Sequence, residues 1–215
     1  MAEDQNKLFR EAIARAIADF GIGELTSRQL DQLAAHYDLL RRWNRRTNLT
    51  RIIEPREAAR FHYAESIFGA RFVRDKESVL DIGSGAGFPA VPLAIIKPEA
   101  TITALEANQK KSLFLNEAKD ALGLDNFKVA NIRLEEFDRG SFDLLTSRAL
   151  DRAQELLPEV IAGLCARQRF MLFCSPDLLE AVRRPADQWM TTEIYPIPQS
   201  ASRLIAIIGQ KSGDL

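Results

Sequence analysis

The sequence predicts an α/β fold: a mostly parallel sheet with one antiparallel edge strand, preceded by an N-terminal helical extension. Three observations predict it. Short apolar runs at Val79–Ile82, Thr101–Leu105, Phe127–Ala130, Phe142–Ser147 and Arg169–Phe173 alternate with helix-length segments, as in parallel strands joined by crossover helices. The chain ahead of them carries only helical periodicity. The first run also leads into three glycines at alternate positions, Gly83, Gly85 and Gly87, then Phe88-Pro89, which reads as strand, tight loop and helix.

The elements follow in order. Leu8, Ala12, Ile13, Ala16, Ile17 and Phe20 recur at helical spacing, and Gly21-Ile22-Gly23 ends that helix. A second helix starts at Thr26-Ser27-Arg28-Gln29, which has capping-box spacing, and carries Leu30, Leu33, Tyr37, Leu40 and Trp43 on one face. Both are amphipathic and need a partner surface, so residues 1–75 are expected to pack as an extension on a sheet domain of residues 76–215. After the second strand, Asn108 can cap a helix to about Leu122, with Gly123 ending it. An amphipathic helix is expected near Asp151 to Cys165. Thr191–Tyr195 and Leu204–Ile208 flank Pro196 and Pro198 and form a closing antiparallel pair at the sheet edge.

Composition excludes several classes. With 215 residues and 46% hydrophobic content the chain can bury one sizeable core with an appendage. A net charge of −1 excludes a polycation. Cys165 and Cys174 are too few for a disulfide scaffold and too far apart for a Cys-x-x-Cys motif. With two histidines besides, no metal site is expected. No apolar run is long enough to span a bilayer, and the acidic opening Met1-Ala-Glu-Asp4 is unlike a secretory signal. A cytoplasmic monomer is the expectation.

The glycine loop asks for a ligand. Glycines allow a sharp turn and close approach to the backbone, and the helix start behind them is expected to present free N–H groups to an anion. A phosphate-cradling P-loop needs a Lys-Ser/Thr pair where Phe88-Pro89 stands, and a dinucleotide loop needs a glycine where Phe88 stands. Asp81-x-Gly83-x-Gly85-x-Gly87 after a strand instead resembles the first motif of Rossmann-like class I S-adenosylmethionine (SAM) methyltransferases. Glu106, at the end of the second strand, adds a carboxylate able to accept hydrogen bonds from both ribose hydroxyls. In an open α/β sheet the reacting ligand lies outside the carboxyl ends of the strands, near the reversal of strand order. That puts Ser147 and Arg148 beside the transferred methyl group.

Charge points to the substrate. Between Arg41 and Arg60 stand seven arginines (41, 42, 45, 46, 51, 56 and 60) against Glu54 and Glu57. This is a local field dense enough for a phosphate backbone, from a side chain suited to phosphate contact and base stacking. The alternative is a solvated face whose arginines pair with acids elsewhere. Lys110 and Lys111, in the first turn of a helix, oppose its dipole and hint at the same polyanion.

Trp43-Asn44-x-x-x-Asn48-Leu49-Thr50, Phe61-His62-x-x-Glu65-Ser66, the glycine loop through Pro89, and Ser147-Arg148-Ala149 together resemble the RsmG (GidB) family of bacterial 16S ribosomal RNA guanine-N7 methyltransferases. The resemblance covers residues 30–150 and, more loosely, the rest. It implies SAM as cofactor, with Asp81, Gly83, Gly85, Gly87, Phe88, Glu106, Leu134, Glu135 and Arg148 around it. Leu134 would contact adenine, with Glu135 near the exocyclic amine. It also implies 16S ribosomal RNA or the small ribosomal subunit as partner, faced by Arg41, Arg45, Arg46, Lys110, Lys111, Arg133 and Arg203. Two departures stand out: Glu106 replaces the usual Asp, and Cys174-Ser175 replaces a lysine and small residue after the fifth strand. The missing lysine motivates the alternative of a ribosome-associated binding protein without turnover.

The residues also discriminate among methylation chemistries. Exocyclic amine methylation usually involves an Asn/Asp-Pro-Pro-aromatic turn where Thr146-Ser147-Arg148-Ala149 stands, and cytosine C5 methylation needs a cysteine nucleophile in a Pro-Cys pair. Guanine N7 has a lone pair and no proton, so in-line attack needs neither a general base nor a covalent intermediate. His62 is expected to orient the junction between extension and core.

Overall fold

The computed structural model describes residues 2–183 and 190–210. Helices α1 (Ala2–Asp19) and α2 (Ser27–Asn44) open the chain. At the end of α1, Gly21 turns left-handed with φ 62° and its amide donates to the Ala18 carbonyl. α2 begins with the expected capping box: the Thr26 hydroxyl accepts the Gln29 amide at 3.2 Å and the Gln29 side chain accepts the Thr26 amide at 2.9 Å. Two amides that a helix start leaves without partners are thereby satisfied. A continuous helical stretch follows: α3 (Pro55–Glu57), a π-helix (Ala58–Ala64) and α4 (Glu65–Gly69).

Seven strands form one sheet: β1 (Ser78–Ile82), β2 (Thr101–Leu105), β3 (Phe127–Ala130), β4 (Leu144–Arg148), β5 (Arg169–Cys174), β6 (Met190–Pro196) and β7 (Leu204–Gln210). Their order is β3-β2-β1-β4-β5-β7-β6, so the order reverses between β1 and β4. β1 to β5 pair in parallel, while β7 is antiparallel to both β5 and β6. The reversed strand therefore lies one place inside the edge, because the β6–β7 hairpin returns the chain inward and β6 closes the sheet.

Strand alternation divides the core into two layers. Val79, Leu144, Met171 and Phe173 lie on the side covered by α4, α5 (Ala90–Ile96) and α6 (Gln109–Leu122), with Met171 and Phe173 against Gly69 of α4, whereas Leu80, Leu145, Phe170 and Leu172 face α7 (Ala153–Ala162) and α8 (Pro176–Arg183). α6 is capped at both ends: Asn108 accepts the amides of Lys110 and Lys111, and Gly123 is left-handed at φ 60°. The N-terminal helices cover the α5–α6 layer. Phe9, Ile13, Leu33, Tyr37 and Leu40 belong to the same apolar cluster as Val79, Val91 and Phe114. Among the described residues, no helix is long and apolar enough to cross a membrane.

Candidate active site

The turns that follow β1, β2, β3 and β4 converge on a cavity of about 810 Å³, within the range of small-molecule sites. β1 delivers the glycine loop. Gly85, at φ 55°, has only the Gly83 carbonyl within 4 Å of where a β-carbon would stand, at 3.8 Å, so clearance is kept on the cavity side. Gly87 serves packing instead: at φ 83° its β-carbon would stand 2.7 Å from Val91 Cγ2. It does not line the cavity.

The expectation of free amides behind the loop is not met. At the helix start the Ala90 amide bonds Asp81, Val91 donates to the Gly87 carbonyl and position 92 is proline. In the loop Gly83 and Ser84 donate to the Leu105 carbonyl, Gly87 and Phe88 to the Ser84 carbonyl, and Gly85 to Glu106. The loop folds back on itself and on β2, so it offers no row of amides for a phosphate group.

Two carboxylates organise the loop. Asp81 is fully buried, with the Ser84 hydroxyl donating to its Oδ2 at 2.6 Å. Burial pushes its pKa up to about 7, against the pull of Ser84 and the Ala90 amide. It acts from behind the wall rather than in it. Glu106 does line the cavity: its Oε2 accepts the Gly85 amide at 2.9 Å and its Oε1 the Asn108 amide at 2.8 Å. Each oxygen retains a further lone pair for a diol. Leu105, Ile132 and Leu134 supply apolar wall, and Glu135 is exposed beside them on a 3₁₀ turn, Leu134–Glu136. A buried carboxylate, an open glycine and an apolar slot fit a nucleoside bearing a short polar tail.

At the end of β4, Arg148 reaches the cavity with its side chain 13% exposed. Its Nη1 donates to the His62 carbonyl and Ser66 hydroxyl, its Nη2 donates to the Phe61 carbonyl, and it pairs with Glu65 at 3.1 Å. Ser147 corrects the expectation. Strand alternation turns it away from Arg148, and its fully buried hydroxyl donates to the Ile82 carbonyl of β1 at 3.0 Å. It is absent from the cavity wall.

The extension supplies a wall the sequence reasoning missed. Leu49, Thr50, Arg51, Ile52 and His62 all line the cavity. Asn44 holds this strap, accepting the amides of Leu49 and Thr50 at 2.9 and 3.0 Å while donating to the Thr50 carbonyl. Thr50 Oγ1 lies 2.8 Å from His62 Nε2, and the His62 ring stacks on Phe88 at 4.5 Å. Phe88 also meets His36 and Tyr63, so its ring joins the loop to the extension. Burial, with Arg148 nearby, pushes the His62 pKa down to about 3; the ring is the neutral imidazole at neutral pH, with one nitrogen an N–H donor and the other an acceptor. The legible signal was a side chain spaced to bond backbone, Asn44 before Leu49-Thr50.

Arg42, Arg45, Arg46, Arg51 and Arg56 are exposed, and among the described residues their side chains make no hydrogen bond or ion pair; of the five, Arg51 lines the cavity. Arg41 instead pairs with Asp38 at 3.9 Å, and Arg203 with Glu65 at 2.9 Å. Lys110 and Arg133 are exposed, and Lys111 and Arg133 line the cavity. Cys174 is buried at the end of β5, and burial pushes its pKa up to about 12, so the thiol is unreactive. Among the described residues no group of His, Cys, Asp and Glu could hold a metal ion.

Sheet order, reversal point and cavity define a Rossmann-like class I methyltransferase fold. Among solved structures the chain resembles a SAM-dependent O-methyltransferase from Thermotoga maritima, with TM-score 0.58 and 15% identity over 84% of this chain and 73% of that one. It also resembles TYW2 from M. jannaschii in complex with AdoMet, with TM-score 0.55 and 16% identity over 69% and 76%. The family model for rRNA small subunit methyltransferase G matches residues 29–189, and the chain belongs to that family. Relatives named ribosomal RNA small subunit methyltransferase G include one from Solibacter usitatus, 37% identical over 78% of this chain and 83% of its own. Another, from Lactococcus lactis, is 31% identical over 91% and 88%.

Proposed function

We propose that the protein transfers the methyl group of SAM to N7 of a guanine in 16S ribosomal RNA. One observation carries this reading: the cavity joins the glycine loop and Glu106 to Arg148, its one wall histidine is neutral, and the segment that supplies its Leu49–Ile52 wall carries exposed arginines without partners among the described residues. Glu106 would hold the ribose, Leu134 and Ile132 the adenine, and Asp81 would keep the loop in shape through Ser84. When bound, SAM supplies an electrophilic methyl on a sulfonium. Guanine N7 presents a lone pair and no proton, and the positive charge leaves the sulfonium with the methyl and arrives on the base, so the chain needs only to orient the base and the donor. Arg148, held by several partners, would orient the base by donating to its acceptor atoms, and Arg45, Arg46, Lys110, Lys111 and Arg133 would take RNA phosphates.

The test is methyl transfer from labelled SAM to small subunits and to naked 16S RNA, followed by nucleoside analysis. N7-methylguanosine is the expected product. Label on another base atom or on protein would overturn the substrate, and donor binding without transfer would leave a binding protein.

A further inference from the structure

Behind the cavity wall, several cations converge on one carboxylate. Glu65 opens α4, is 1% exposed, and bridges two guanidinium groups: its Oε2 lies 3.1 Å from Arg148 Nη2 and its Oε1 2.9 Å from Arg203 Nη2. Arg60, whose charge also acts on Glu65, donates to the Gln199 carbonyl in the β6–β7 connection. The carbonyls of Phe61 and His62, one turn earlier in the π-helix, take further donors of Arg148. The extension therefore fixes the Arg148 fork from several sides, while Glu65 does not line the cavity.

A buried ion pair is a weak device for stability alone, since apolar residues of similar volume serve as well. What a carboxylate between two planar forks does provide is orientation. We propose, on the functional reading given above, that Glu65 is a positioning residue for methyl transfer. By holding Arg148 and Arg203 together it sets where the Arg148 guanidinium stands in the cavity, so the helical extension completes the active site.

The test compares Glu65→Gln and Glu65→Asp with wild type in steady-state methylation of small-subunit RNA, alongside SAM affinity by calorimetry. In Glu65→Gln, kcat is expected to fall about 100-fold, with KM for RNA and SAM affinity held within about twofold. Glu65→Asp, which restores the charge, should return kcat to within about tenfold of wild type. A wild-type kcat in Glu65→Gln, or a loss confined to KM, overturns the proposal. If Glu65→Gln does not fold, the double variant Glu65→Gln/Arg203→Gln, which removes an anion and a cation together, decides. About 100-fold slower than Arg203→Gln alone supports positioning, and equal rates refute it. The wild-type control separates the failures: no guanine product from wild type counts against the functional reading, not against Glu65.

Discussion

Arg148 is held by geometry as much as by charge. Its Nη groups reach two carbonyls, a hydroxyl and a carboxylate, an arrangement that a flexible ammonium cannot reproduce. Arg148→Lys keeps the positive charge beside Glu65 yet is expected to slow methyl transfer about 100-fold, and to lower stability by about 1–3 kcal/mol through partners left without donors. Single-turnover rates and urea denaturation check both parts. Asp81 sets a pH dependence. Its pKa is pushed from 3.8 to about 7 by burial, so the folded protein holds the proton more tightly than the unfolded chain. The carboxyl costs nothing below about pH 3.8; its cost grows as pH rises toward about 7 and then levels off, on the order of 4 kcal/mol. In Asp81→Asn the stability of the unliganded protein should fall less across that window. Equal falls in variant and wild type, in denaturant titrations at about pH 5 and about pH 8, would refute this.

At the scale of elements, what was legible in the sequence is what neighbours in the chain decide. β2 and β3 match the expected Thr101–Leu105 and Phe127–Ala130, and the caps at Thr26 and Asn108 form as spaced. The glycine loop, Glu106 and Arg148 were legible in position, because each follows an apolar strand. That Ser147 turns away from Arg148 follows from alternation, but its bond to the Ile82 carbonyl was not legible, since it depends on how β4 pairs with β1. The π-helix was hidden because one wide turn leaves little trace in apolar spacing, and its consequence lies 86 residues away, where Arg148 finds the His62 carbonyl. The strap of residues 49–52 was hidden for the same reason: its contacts cross from extension to sheet. Among the described residues, Asn44 is the α2 side chain that hydrogen-bonds it, through three bonds, with Tyr37 bonding the Ile53 carbonyl just beyond. Asn44→Ala is expected to cost about 2–3 kcal/mol and to raise amide exchange at Leu49 and Thr50, measurable by hydrogen exchange. Unchanged exchange would mean the strap is held elsewhere.

Across the whole molecule, a net charge of −1 conceals a segregated surface. Of the seven arginines between positions 41 and 60, five are exposed without partners, while Arg41 pairs with Asp38 and Arg60 bonds the Gln199 carbonyl. Salt dependence distinguishes the two groups. Arg45→Ala and Arg46→Ala should each reduce the slope of log affinity for RNA against log salt by about 0.7–0.9, whereas Arg41→Ala should change it less. Equal slopes in all three, from filter-binding titrations, would place the RNA on another face. Finally, one apolar cluster runs unbroken from Phe9 and Leu33 through Phe88 to Val79 and Phe114. The helices that precede the arginine-rich segment and the loop that carries Phe88 therefore share one core with the sheet whose strand β4 ends in Arg148. If the segment were to shift on the sheet, that shared core would have to repack, so the cost of displacing it is set by buried rings such as Phe88 rather than by its charges.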